Sequence, residues 1–109
     1  MMQDYFFIQS QEQFTDVRTR SQYDLALSLA KSGKAVSILL VQNAVLSARK
    51  KVDSPNVDAL LSHAVKIYAD SLSLQQREIS PQQLNTSIKP AQLDIVISAM
   101  LNGDKVIWW

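Results

Sequence analysis

Few side chains in this 109-residue sequence are of the types that carry out chemistry, and the missing types exclude whole classes of protein. The chain has no cysteine, which excludes disulfides, thiolate nucleophiles and thiolate metal sites. Its single histidine, His63, leaves too little for a metal site or a catalytic triad, and we expect its ring to contact the last carbonyls of a helix. The sequence thus identifies no catalytic residue, and it predicts no metal and no cofactor.

Polar residues follow four of the predicted strands, at the ends where ligands bind in open α/β sheets. These residues are Gln9 and Ser10, Gln42 and Asn43, Asp70 and Ser71, and Lys89. Polar loops at strand ends are also expected without any site, so position alone does not choose between the two interpretations. An aspartate at such an end often caps the following helix, and we expect this role for Asp70.

Nucleotide-binding and phosphoacceptor sites are not favoured by these strand ends. No glycine follows the first predicted strand, so the turn that approaches pyrophosphate in dinucleotide-binding folds is missing, and the P-loop spacing does not occur. A receiver domain would need carboxylates after the first strand to hold Mg²⁺, but Gln9 and Ser10 stand there.

Apolar patterning predicts five strands separated by helices. The strand segments are residues 5–8, 35–41, 65–69, 85–88 and 105–109, and the second is almost wholly apolar, as in strands covered on both faces. The first helix is predicted to end at Lys31 and to begin either at Thr15 or at a capping box over residues 10–13. Further helices are predicted over residues 44–51, 57–62 and 72–77. The alternation indicates an α/β fold: a single three-layer domain with a mostly parallel five-stranded sheet and helices on both faces.

The last helix is predicted to start at Pro90, a residue that suits a first helical turn. Five apolar residues then recur at helical spacing, and we expect them to form one buried face: Leu93, Val96, Ile97, Met100 and Leu101. The two glycines, Gly33 and Gly103, stand where helix ends need a left-handed residue.

Composition predicts one folded domain over residues 1–109, because 47% of the residues are apolar and 19% are charged. The net charge of +1 indicates neither a nucleic-acid partner nor an anionic membrane. The first residues lack the basic start and the long apolar run of a signal peptide, and the longest uncharged stretch, residues 35–48, is too short to span a bilayer. We therefore expect a cytoplasmic protein.

Several segments resemble the DsrE/DsrF-like sulfur-relay family. They are the helix at residues 23–30 with Gly33 and the strand that follows, the turn and small helix at 42–45, the strand and short helix at 65–79, and the last strand at 104–109. The resemblance implies a DsrE-like, flavodoxin-like α/β domain that assembles into oligomers.

The resemblance fails at the residue that defines the family's activity. Active members carry a cysteine just after the third strand, and its thiolate accepts a sulfane sulfur as a persulfide and passes it to a partner protein. The matching position here is Asp70, give or take one residue, and a carboxylate cannot form a persulfide. The resemblance therefore implies a non-catalytic subunit. Its partners would be DsrE-like subunits, in a homo- or hetero-oligomer, or a sulfur-carrier protein.

A second hypothesis is a homo-oligomeric, small-molecule-binding protein. Its pocket would lie at the end of the third strand and be lined by Asp70, Ser71, Ser73, Gln9, Ser10 and Asn43. The two tryptophans of the last strand, Trp108 and Trp109, either close the core or pack against a neighbouring subunit, where aromatic residues are enriched.

Overall fold

The computed structural model describes residues 4–10, 17–50 and 55–108. The capping box predicted at residues 10–13 and the alternative helix start at Thr15 fall partly or wholly outside these residues, as does Trp109.

A five-stranded sheet forms the centre of the molecule, with the strands in the order β4-β3-β2-β1-β5. The strands are β1 (Tyr5–Gln9), β2 (Val36–Leu40), β3 (Lys66–Asp70), β4 (Ile88–Ala91) and β5 (Lys105–Trp108). All four neighbouring pairs are parallel, which confirms the predicted α/β class and the parallel sheet.

Helices connect the strands, as parallel pairing requires. They are α1 (Val17–Lys31), α2 (Pro55–Ser62), α3 (Ser71–Gln76) and α4 (Asp94–Leu101). Two short 3₁₀ helices, Gln42–Ala48 and Pro81–Gln83, complete the connections, and the first replaces the helix predicted over residues 44–51. Among the described residues, no helix is long and apolar enough to cross a membrane.

The larger part of the core lies on one side of the sheet, here called the two-helix face. Alternate strand residues such as Phe7, Ile38 and Ile67 point to this side, where α1 and α2 cover them with Tyr23 and Leu60. Because two helices pack side by side here, the strands on this face are shielded from water.

The opposite side of the sheet, here called the α4 face, is covered less completely. Phe6, Ile8 and Leu39 pack there against Val96 and Ala99 of α4. Tyr68 of β3 joins this cluster only as a half-buried residue, and Lys66 on the same strand is exposed. Of the helices described, α4 alone covers the centre of this face, and the β3–β4 side is left open.

Four helices, α1 to α4, are each followed within two residues by a residue with a left-handed backbone conformation. Gly33 and Gly103 have φ angles of 89° and 84°, as their positions predict. Ala64 after α2 and Glu78 after α3 adopt the same conformation, with φ angles of 63° and 55°. The ends after α2 and α3 therefore carry a conformational cost that glycine avoids.

The fourth strand lies three residues later than predicted. It is Ile88–Ala91, so Pro90, expected to start a helix, is a strand residue. Proline lacks a backbone N–H, and β4 can hold it because β4 is an edge strand. Residues before it form a turn, in which Asn85 Oδ1 accepts a hydrogen bond from the Ser87 N–H.

The predicted buried face of α4 is wrong for four of its five residues. Val96 is buried, together with Ala99 at the i+3 position. The side chains of the other four are more than half exposed: Leu93, Ile97, Met100 and Leu101. The reason is the architecture, because a lone helix on a sheet buries only the narrow stripe that touches the strands.

Candidate functional site

A hydrogen-bond network centred on Asp70 and Ser73 joins the carboxyl ends of β2 and β3. Asp70 is the last residue of β3 and the N-cap of α3, which confirms its expected capping role. Its Oδ2 atom accepts hydrogen bonds from the Ser73 N–H, at 3.1 Å, and from the Ser73 hydroxyl, at 2.7 Å. Both side chains are buried.

The Ser73 hydroxyl also reaches the turn that follows β2. Its oxygen accepts a hydrogen bond from the backbone N–H of Gln42, at 2.8 Å. Gln42 has a φ angle of 52°, a left-handed conformation that costs a non-glycine residue about 1–2 kcal/mol. The bond to Ser73 therefore helps hold a strained turn in place against α3.

Arg77 at the end of α3 makes a second link between the same two segments. Its Nε and Nη2 atoms donate hydrogen bonds to Asn43 Oδ1, at 3.3 and 3.0 Å. Its Nη1 atom donates to the carbonyl oxygen of Ser73, at 3.2 Å. The guanidinium thus fixes the side chain of Asn43 over the last turn of α3.

The predicted pocket residues divide into two groups. Asp70, Ser73 and Asn43 belong to the connected network, and Ser71 is half-buried at the start of α3. Gln9 and Ser10 follow β1, which β2 separates from β3. Gln9 is fully buried and aligns with Leu40, whose side chain lies in the core of the two-helix face.

The strand-end pattern did not identify every residue of the network. Arg77 stood outside the predicted set, although its position four residues after Ser73 places both on one side of a helix. The pattern includes Gln42 only as a polar strand end, because its contribution is a backbone N–H, which every residue except proline supplies. That donor becomes visible only when β2 and α3 are placed side by side.

The chemistry of this network is hydrogen bonding between loops. Asp70 Oδ2 is engaged by two donors of Ser73, and no histidine lies in the network to act as a base. His63 is instead at the end of α2, where its Nδ1 lies 2.9 Å from the Ala59 carbonyl oxygen, as expected. The described residues contain no cluster of side chains suited to a metal ion.

The exposed apolar residues of α4 form a second candidate site. We call Leu93, Ile97, Met100 and Leu101 the α4 surface, since their spacing places them along one side of the helix. Leu101 is 83% exposed. Trp108 of β5 is 63% exposed and points to the same side of the sheet as Val106, whose side chain packs in the α4-face core.

The sequence model of the DsrE/DsrF-like family matches residues 3–109, so the chain belongs to this family. Comparison with curated proteins finds no match. The family assignment therefore rests on the sequence over nearly the full length of the chain.

Solved structures show the same fold. The YchN protein of E. coli has a TM-score of 0.87 at 17% identity, with 99% of this chain and 100% of that chain covered. The protein MTH1491 of Methanobacterium thermoautotrophicum has a TM-score of 0.74 at 17% identity, with 97% and 100% covered. The protein BT1422 of Bacteroides thetaiotaomicron has a TM-score of 0.72 at 18% identity, with 95% and 94% covered.

Proposed function

We propose that this protein is a non-catalytic DsrE-like subunit that acts by binding other subunits, within assemblies of the sulfur-relay type. The chain lacks any cysteine, so it has no thiolate to carry a persulfide. Its contribution to such an assembly is then a binding surface, supplied to a cysteine-bearing relative, to a sulfur-carrier protein or to further copies of itself.

The α4 surface is the observation that carries this proposal. Ile97 and Met100 are 60% and 59% exposed, although both are fully apolar side chains on a well-formed helix. Single exposed apolar residues are common, but several along one helix mark an interaction site. Burying such a side chain in an interface contributes roughly 1.5–3 kcal/mol in transfer free energy.

Trp108 extends the proposed interface beyond the helix. It lies on β5, an edge strand of the sheet, and its side chain is largely exposed. Tryptophan is enriched at the centres of protein interfaces because it buries a large apolar area. The prediction that Trp108 packs against a neighbouring subunit, with Trp109 beside it in sequence, is therefore part of the proposal.

The test combines purification of native complexes from the source cell with mass measurement of the purified protein in solution. We expect recovery of a cysteine-bearing DsrE-like relative or a sulfur-carrier protein, or else a defined oligomer of this chain alone. The variant Ile97→Asp should weaken either association at least tenfold, because it places an unpaired charge in an apolar interface.

Leu72→Asp is the matched control for that variant. Leu72 lies on α3 and is 61% exposed, nearly the same as Ile97 at 60%. The substitution thus introduces the same charge at an equally exposed apolar site outside the α4 surface, and it should leave association intact. A monomer that recovers no partner, or equal association of both variants, would contradict the proposal.

The small-molecule pocket around Asp70 is a separate hypothesis that Asp70→Asn tests. Asparagine also caps helices well, so we expect a loss of no more than about 1 kcal/mol of stability. A loss of small-molecule binding at unchanged stability would support the pocket. We favour the subunit function because the hydrogen bonds of Asp70 already account for its position.

A further inference from the structure

A groove of about 350 Å³ lies on the open part of the α4 face, away from both sites described above. Its lining includes Lys66 and Tyr68 of β3, Lys89 of β4 and Ser87 just before β4. Tyr68 aligns directly with Lys89 in the parallel register, and Lys66 is two residues before Tyr68 on the same side of the strand. The three side chains therefore project from one patch of the sheet.

The polar groups of this patch all suit a negatively charged ligand. Two lysines, a tyrosine and a serine are among the residues that line the groove, and none of the lining residues is acidic. Neither Lys66 nor Lys89 has an ion-pair partner among the described residues. The chain as a whole carries a net charge of only +1, so this local excess of positive charge is not a general property of its surface.

Protection of the sheet edge explains only one of the two lysines. Edge strands commonly carry lysine and proline to prevent pairing with another chain, and β4 has Lys89 and Pro90. Lys66, in contrast, lies on β3, which has a strand on each side. An exposed lysine on an inner strand has no edge to protect, so its position beside Tyr68 needs another reason.

We infer that this groove, here called the Lys66–Lys89 groove, is a binding site for a phosphate or sulfate group. The two ammonium groups supply the charge, and the hydroxyls of Tyr68 and Ser87 supply neutral donors to further oxygens of the ligand. The group is either a free inorganic oxyanion or the phosphate of a small organic ester. This site is independent of the proposed subunit function, which rests on the α4 surface.

The experiment follows backbone amide signals of the ¹⁵N-labelled protein by NMR during titration with sodium phosphate. Sodium chloride keeps the ionic strength constant, and phenyl phosphate replaces inorganic phosphate in a second titration. We expect saturable shifts at β3 and β4 and none at β5. Tighter binding of phenyl phosphate at the same residues would identify an organic ester as the better ligand, and equal or weaker binding would identify the free oxyanion.

Lys66→Gln and Lys89→Gln should each weaken phosphate binding about fivefold. Two opposite unit charges ~4 Å apart in water attract each other by about 1 kcal/mol, which corresponds to about fivefold in Kd. Lys105→Gln is the matched control, because Lys105 is an exposed strand lysine at the opposite edge of the sheet. It should leave binding unchanged. Shifts that chloride reproduces, or an equal loss in Lys105→Gln, would overturn the inference. The three exposed substitutions leave the α4 surface intact, so subunit association provides an independent readout.

Discussion

The variant Ser73→Ala should destabilise the protein far more than its small change in size suggests. It removes the hydroxyl that donates to Asp70 and accepts from Gln42, at 2.7 and 2.8 Å. A hydrogen bond to a charged group contributes about 1.5–3 kcal/mol, and a neutral one about 0.5–1.5 kcal/mol. Alanine recovers roughly 0.5 kcal/mol through its better helix propensity. The expected net loss is therefore about 1.5–4 kcal/mol.

Ser71→Ala provides the control for helix propensity. Ser71 is a half-buried serine in the first turn of the same short helix, and it lies outside the network. Urea denaturation of both variants gives the difference in unfolding free energy, and thermal unfolding should show Ser73→Ala lower by about 6–16 °C in Tm. The two variants falling within about 0.5 kcal/mol of each other would refute the reasoning, because the resolution of such measurements is of that size.

A double-mutant cycle locates the loss within the network. Asp70→Ala and Ser73→Ala each break the same hydrogen bond between the two side chains. The double variant should therefore lose about 1 kcal/mol or more less unfolding free energy than the sum of the losses in the two single variants. Strict additivity would show that the Ser73 hydroxyl acts through Gln42 alone.

Three further predictions follow from burial and backbone geometry. Ala64→Gly and Glu78→Gly should each raise the unfolding free energy by about 0.5–1 kcal/mol in urea denaturation, because both residues have positive φ angles; a loss in both would contradict this. Burial raises the pKa of the Tyr23 phenol above its ordinary value of 10.0, so with rising pH this phenol ionises in the unfolded chain before it does in the folded protein. The free energy of unfolding is therefore unaffected by Tyr23 below pH 10 and falls as the pH rises above it. Tyr23→Phe should reduce the loss of stability at alkaline pH. It should not destabilise the protein at neutral pH, because no described residue forms a hydrogen bond with the buried Tyr23 hydroxyl. Urea unfolding curves at neutral and at alkaline pH measure both effects. Tryptophan emission should shift to longer wavelength when the assembly is diluted to monomers, since Trp108 is exposed in the single chain; an unchanged spectrum across dissociation would argue against Trp108 in the interface.

The sequence is sufficient to predict the type of most elements and their order along the chain, because these depend on local patterns. The apolar run that contains β2 and the glycines after α1 and α4 are such patterns, and the structure confirms both. The position of β4 was missed because Pro90 has two common structural roles, in a first helical turn and in an edge strand. Only the arrangement of the whole sheet decides between these roles.

The candidate sites required the tertiary structure for a similar reason. Asp70 was recognised as a cap, since capping depends on neighbouring residues alone. The bond between Ser73 and Gln42 joins residues 31 positions apart, which no local pattern encodes. The spacing of Leu93, Ile97 and Met100 correctly indicated one apolar side of a helix, but it could not show that the sheet leaves this side uncovered.

The pairing of β1 with β5 has a consequence for the order in which the sheet forms. Tyr5 aligns with Lys105, so this pair of strands closes a loop that spans almost the whole chain. The other three pairs, β1 with β2, β2 with β3 and β3 with β4, each join strands that follow one another in the sequence. The entropic cost of closing a loop rises with its length, so long-range pairing comes late in folding. We therefore expect the unit of β1, β2, β3 and β4 to form early, and β5, with the exposed Trp108, to join it last.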